Sequence, residues 1–267
     1  MRIHELGEGT PEVAVVGGIH GDEPCGPRAI DRLLAAEPTV ERPVKLIIAN
    51  EAALQAGQRY LDADLNRVFP GDPDATAHER RLAYDLAREI QGCTTLALHS
   101  TQSTPKPMGV IRSIDEVARA IYPRLPLDVL IETDAHTDGR LIEYPHTIEV
   151  ECGLQGTEAA ADTGYDLVRA FLAATGALPA PEADGRFDIP DPETVEVFRL
   201  QEPIHKPDGE SYEVLVENFQ QVREGTAFAA VDGESLYADT DFYPVLFSEG
   251  GYEEIFGYVA EKTGRVA

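Results

Sequence analysis

The fold turns on "VAVVGGIHGDEPCG", Val13–Gly26, where an apolar run breaks on two glycines and then offers a histidine and a glutamate three positions apart. A short β-branched stretch that ends on Gly17 and Gly18 reads as a buried strand feeding a turn. Glycine at that point permits a tight or left-handed backbone. Open α/β sheets place their ligand crevices just past such strand ends. His20 and Glu23 stand there, spaced so that one turn can aim both side chains at a single ion.

Working outward, four further stretches read as strands: Val44–Asn50, Thr94–Ser100, Asp128–Glu132 and Thr147–Glu151. Helical patterns lie among them. Pro24–Glu37 carries an Ile30, Leu33, Leu34 face, and Ala75–Gln91 carries Leu82, Leu86 and Ile90; Asp115–Tyr122 and the long Gln155–Thr175 complete the set. Strand alternating with helix predicts an α/β fold with a mixed, largely parallel sheet flanked by helices. The segment "GALPAPEADGRFDIPDPE" is loaded with Pro, Gly and acids and punctuates the chain. Beyond it, "TVEVFRL", "YEVLVENF", "TAFAAVDG" and "DFYPVLFSE" are strand-like runs separated by turn chemistry. Two domains are therefore expected: residues 1–178, α/β, and residues 190–267, smaller and β-rich.

Charge narrows the function classes. Against 22 Lys+Arg stand 48 Asp+Glu, a formal net charge of −26. Nucleic acid and anionic membranes are poor partners for such a surface. The acids are spread along the chain, and only four residues are lysine. Both features point to a globular surface suited to a high-salt cytoplasm, where a Debye length of about 3 Å at molar salt screens self-repulsion. Cys25, Cys93 and Cys152 make no paired spacing, and "MRIHELGEGT" has no secretory pattern, so a reduced cytoplasm is expected. Cys25 and Cys152 read as small core hydrophobes. No apolar run nears the roughly 18 residues of a membrane span. A homo-oligomer is compatible with all of this.

A third candidate ligand, His99, ends the strand "TTLALHS" and can reach the same crevice as His20 and Glu23. Two histidines and a glutamate with an open fourth position are the donor set of a catalytic zinc site. A lone His-x-x-Glu is equally the mark of a surface hydrogen bond or a helix cap. "GQRYLDADLNRVFPG" supplies Arg59, Asn66 and Arg67, groups that grip a carboxylate or a developing oxyanion. The same loop could instead pair its arginines with Asp62 and Asp64. On "TIEVE", Glu149 and Glu151 share a face by the period of two while Ile148 and Val150 point into packing. A carboxylate so placed can serve as a general base or be a solvated edge group.

Taken together, "GGIHGDEPCG", "RYLDADLNRVFPG", "LALHST" and "YPHTIEVECG" resemble, in order and spacing, the aspartoacylase and succinylglutamate desuccinylase family of zinc-dependent amidohydrolases. The resemblance implies a zinc-carboxypeptidase-like α/β domain followed by a β domain that covers the cleft. It implies one zinc per chain held by His20, Glu23 and His99, with Glu149 activating water and Arg59 polarising the scissile carbonyl. Asn66, Arg67, Arg140 and Tyr252 are implied to bind substrate, a small N-acyl amino acid whose amide is cleaved. Three positions depart from mammalian aspartoacylases: Ala97 replaces an aspartate, His136 a tyrosine and Phe256 a lysine. The departures place aspartate specificity in doubt, and Phe256 would favour a more apolar neighbour. A metallocarboxypeptidase acting on short peptides, or a non-catalytic protein that binds a metal or an amino acid, would use much of the same site.

The charge balance predicts that the melting temperature climbs steeply between low and molar salt as carboxylate repulsion is screened. Thermal melts across that range check it, and a flat profile contradicts the high-salt reading.

Overall fold

The computed structural model describes residues 1–134, 139–179 and 195–266. In chain order the elements are β1 (Arg2–Leu6), β2 (Val13–Gly17), α1 (Cys25–Ala35), β3 (Val44–Ile48), α2 (Glu51–Ala56), α3 (His78–Glu89), β4 (Thr94–Thr101), β5 (Met108–Ile111), α4 (Glu116–Ile121), β6 (Val129–Glu132), β7 (Thr147–Leu154) and α5 (Glu158–Ala174). They continue as β8 (Glu196–His205), β9 (Tyr212–Val214), β10 (Ala227–Val231), β11 (Glu234–Tyr237), β12 (Tyr243–Val245) and β13 (Ile255–Arg265).

Ten strands form one sheet in the order β1-β3-β2-β4-β7-β5-β6-β8-β13-β12. Its centre, β3-β2-β4-β7, is parallel, and the five residues of β2 are all buried. Alternation along β2 divides the interior. Val13 and Val15 pack with α1, α4 and α5 on one face, whereas Ala14 and Val16 pack with Leu82 and Leu86 of α3 on the other. The same period sends Ile148, Val150 and Cys152 of β7 into the first layer. Glu149 and Glu151 therefore look the opposite way.

The four helices expected from periodicity are present, each shorter at its ends. In α5, for example, the Thr157 side chain accepts a hydrogen bond from the Ala160 N–H at 3.1 Å and fixes the start. Strands β1 and β5 and helix α2 had no expectation. Strand β1, "RIHEL", is a polar edge strand with no apolar run, and β5 and α2 are only four and six residues long.

The C-terminal stretch contributes in two ways. Strands β9, β10 and β11 form a separate small antiparallel sheet, while β8, β13 and β12 extend the large one. Strand β8 joins by parallel pairing to β6, with Val129 opposite Glu196, and so covers an edge that would otherwise be open. The cysteines are buried and unpaired, in keeping with core packing. No helix among the described residues is long and apolar enough to cross a membrane.

Helix α1 sits directly on the end of β2. A Cβ on Gly17 would meet the Gly26 carbonyl carbon at 2.6 Å, and one on Gly26 would meet the Gly17 Cα at 2.7 Å. Gly18 adopts φ +67, which turns the chain towards His20. Both close contacts are backbone against backbone, so a methyl there must push the helix off the sheet. We expect Gly26→Ala to destabilise by at least about 2 kcal/mol. Gly164→Ala, whose methyl would make ordinary contacts of 3.4–3.5 Å inside α5, should stay within about 1 kcal/mol of wild type. Denaturant unfolding of the two variants checks this.

Candidate active site

The carboxyl ends of β2 and β4 and the cavity face of β7 converge on one cleft. The loop after β2 carries His20 and Glu23, the end of β4 carries His99, and mid-β7 carries Glu149; all four are buried at 3–4 % exposure. The His20 Nδ1 lies 2.8 Å from one Glu23 oxygen, and the His99 Nδ1 lies 3.0 Å from the other. Among the described residues these three form the one group whose ligand atoms gather closely enough, within 4.8 Å of one another, to hold a metal ion.

Electrostatics explains why the arrangement calls for positive charge. A carboxylate this buried would ordinarily be pushed towards neutrality. The two imidazoles outweigh that burial and hold Glu23 well below the usual carboxylate range. Reciprocally, burial would lower His99, but the hydrogen bond and charge of Glu23, with Glu149 and Glu151 beyond, push it up to about 10. Two protons or one bound cation can supply that positive charge. The donor set, two imidazole nitrogens and a carboxylate, fits a cation such as zinc.

The loop from Arg59 to Arg67 closes one side. The Asp64 carboxylate accepts from the His20 Nε2 at 3.0 Å and from the Asn66 N–H at 2.9 Å. It thereby fixes the His20 ring so that Nδ1 faces the metal-binding position. Arg59 donates to Asp64 at 3.2 Å and to Glu23 at 3.1 Å. Asn66 donates to Glu149 at 3.4 Å and accepts from the Leu141 N–H at 2.8 Å, so it orients the Glu149 carboxylate and pins the loop beside Arg140. Arg67 donates to the Asn66 carbonyl at 2.7 Å. Burial lowers Arg67, and the neighbouring Arg140 guanidinium adds to the effect.

His20, Glu23, Arg59, Asn66, Arg67, His99, Arg140, Glu149 and Tyr252, the nine residues singled out from the sequence, all line this one cavity. Tyr252 comes from the C-terminal stretch, and burial holds its hydroxyl up at about 12. Glu151 also lines the cavity, with one carboxylate oxygen buried and unbonded. Burial pushes Glu151 up to about 7; nearby Glu23 and Glu149 add to the shift, and His99 opposes it. Phe256 does not reach the cavity: it is fully buried and packs edge-on to Tyr212 at 5.8 Å, so it adds no apolar wall to the site. Ala97 packs in the apolar layer against α3, and the His99 Nε2 has no hydrogen bond. His136 lies outside the described residues.

Two contributors carry weaker sequence signals. Tyr122, fully buried on the turn after α4, donates its hydroxyl hydrogen to the Val110 carbonyl at 2.8 Å and lies 3.2 Å from the Glu149 carbonyl, fixing the strand that holds Glu149. Glu79, at the start of α3 and 0 % exposed, accepts from the Leu61, Asp62 and Ala63 N–H groups at 2.7, 3.0 and 3.2 Å, and from Asn50 at 3.1 Å. It anchors the loop that carries Arg59 and Asp64. A charged residue in a first helical turn is commonplace, and only its burial marks it.

Residues 9–113 match the model of the succinylglutamate desuccinylase/aspartoacylase catalytic domain. A segment of 90 residues is 40% identical to N-alpha-acetyl-L-2,4-diaminobutyric acid deacetylase of Halomonas elongata, covering 32% of this chain and 26% of that protein. Rat aspartoacylase aligns over 92% of this chain and 90% of its own length at 26% identity. The first three curated relatives are matched over only about a quarter to a half of their lengths. In fold, the chain is similar to the product-bound ectoine utilization protein EutE (DoeB) of Ruegeria pomeroyi, with a TM-score of 0.77, 20% identity, and coverage of 99% of this chain and 88% of that one.

Glu79 yields a signed prediction. Burial would raise its pKa, but the loop N–H groups and Asn50 hold it below 4.5. Its contribution to stability is therefore complete above that value and is lost as pH falls through the lowered folded-state pKa. Glu79→Gln turns an NH2 group towards backbone donors; it should cost about 1–3 kcal/mol at neutral pH and flatten the acid limb of the stability curve. Urea unfolding at pH 7 and pH 4 checks both.

Proposed function

We propose that the chain, whose residues 9–113 match the succinylglutamate desuccinylase/aspartoacylase catalytic domain, belongs to that family and is a zinc-dependent hydrolase cleaving the amide bond of an N-acyl amino acid. The observation that carries the reading is the buried convergence of His20, Glu23 and His99 beside Glu149, with the nearest Glu149 oxygen 3.9 Å from the His99 Nε2. Zinc in that position supplies a Lewis acid and lowers the pKa of water towards about 7. The protein's own residues do the rest.

Glu149, oriented by Asn66, takes the proton of the attacking water on a carboxylate oxygen and hands it to the departing amine. Arg59 stabilises charge that develops on the scissile carbonyl oxygen. Arg67, Arg140 and Tyr252 hold the substrate's carboxylate and so fix the amide over Glu149. In this reading residues 1–178 form the catalytic domain and residues 190–267 cover the cleft, to which they bring Leu200, Leu246 and Tyr252. The acid-rich, lysine-poor composition supports operation in a high-salt cytoplasm.

A panel of N-acetyl and N-succinyl amino acids, with short peptides alongside, tests the assignment in molar salt. We expect turnover of at least one N-acyl amino acid, abolished by chelation and restored by zinc. Glu149→Gln should keep the fold and the metal yet lose about 10²–10⁴ in kcat. Preferential cleavage of peptides, or full activity in Glu149→Gln, contradicts the proposal.

A further inference from the structure

Glu151 stands two residues beyond Glu149 on the cavity face of β7, opposite His99 of β4 and Met108 of β5. One of its carboxylate oxygens is buried and has no hydrogen-bond partner. No arginine or lysine among the described residues lies within ion-pairing distance of it. Of the arginines that line the cavity, Arg59 is paired with Glu23 and Asp64. Among the described residues Glu151 belongs to no metal-binding group; the cluster of His20, Glu23 and His99 does not include it. The same cavity is also lined by the neutral polar groups Gln102, Gln155 and Ser248, and by Tyr252.

A half-buried carboxylate beside Glu149 costs free energy unless something positive meets it. The protein supplies Arg67 and Arg140 to the same cavity for an anionic group, whereas the positive charge near Glu151 is that of the His20 and His99 site, and no arginine or lysine among the described residues pairs with it. We propose that Glu151 is the specificity residue for a cationic group on the substrate. Resting on the function proposed above, this narrows the substrate class to N-acyl amino acids whose side chain ends in an ammonium. The substrate carboxylate meets the arginines, and the ammonium meets the Glu151 carboxylate. Replacing that ammonium by a methyl leaves the carboxylate buried and unpaired, the situation in which a polar site discriminates most strongly.

The test uses two pairs of equal side-chain length, Nα-acetyl-L-ornithine against N-acetyl-L-norleucine and Nα-acetyl-L-2,4-diaminobutyrate against N-acetyl-L-norvaline. For at least one pair, wild-type kcat/KM should favour the ammonium by at least about tenfold. Glu151→Gln should reduce that ratio by a similar factor, and Glu151→Lys should reverse the preference. A wild-type ratio near one in both pairs, or a Glu151→Gln loss equal for both members of each pair, overturns the inference. Calorimetric binding of free ornithine, diaminobutyrate, norleucine and norvaline to the wild-type protein reads the same preference without turnover. Selective binding of a cationic amino acid in a protein that hydrolyses no amide would uphold Glu151 and sink the hydrolase. Hydrolysis with no charge preference would do the reverse.

Discussion

Everything at this site depends on one buried carboxylate. Glu23 is bracketed by two imidazoles at 2.8 and 3.0 Å and lies where water cannot solvate its charge. Arg59 brings one positive charge to it at 3.1 Å, and protons on the imidazoles or a bound cation between the rings bring more. The surrounding contacts serve to hold the three donors in place. Asp64 fixes the His20 ring, the Ser100 N–H donates to Glu23 at 3.1 Å, and Glu79 holds the loop that carries Asp64.

The fold explains how such a cluster is reached from distant parts of the chain. Parallel strands bring their carboxyl ends to one edge, so residues near 20, 99 and 149 meet without long excursions. Close seating of α1 on β2 through Gly17 and Gly26 sets the exit angle of the turn that carries two of the donors. Burial of both sheet faces by α1, α4 and α5 on one side and α3 on the other gives the edge its rigidity. The C-terminal stretch adds Leu200, Leu246, Ser248 and Tyr252 to the cavity lining.

Much of this was legible in the residues themselves. Strand and helix positions followed from period and turn chemistry, because the central strands are apolar runs and the helices have clear faces. The nine site residues came together as the motif order implied. What the sequence concealed were long-range polar partners. Glu79 acts on N–H groups 16 to 18 residues away, and no local pattern announces a backbone partner. Tyr122 looks like any aromatic in an apolar stretch, yet its hydroxyl holds two strand carbonyls. Phe256 misled for the converse reason. A position matched by motif fixes a place along the chain, while the core of the small sheet decides where an apolar ring points. Likewise, the run of C-terminal strands gave no sign that β8, β13 and β12 would extend the large sheet, since pairing partners are set by which edge is open.

The central claim is that the charge between the two imidazoles is a metal ion. Crystals grown with zinc and measured on both sides of the zinc absorption edge test it directly. The account predicts one strong anomalous peak per chain, about 2.0–2.2 Å from the His20 Nδ1, the His99 Nδ1 and a Glu23 oxygen. An anomalous peak ligated by other residues, or none at this position in crystals of protein that hydrolyses N-acyl amino acids, would contradict it.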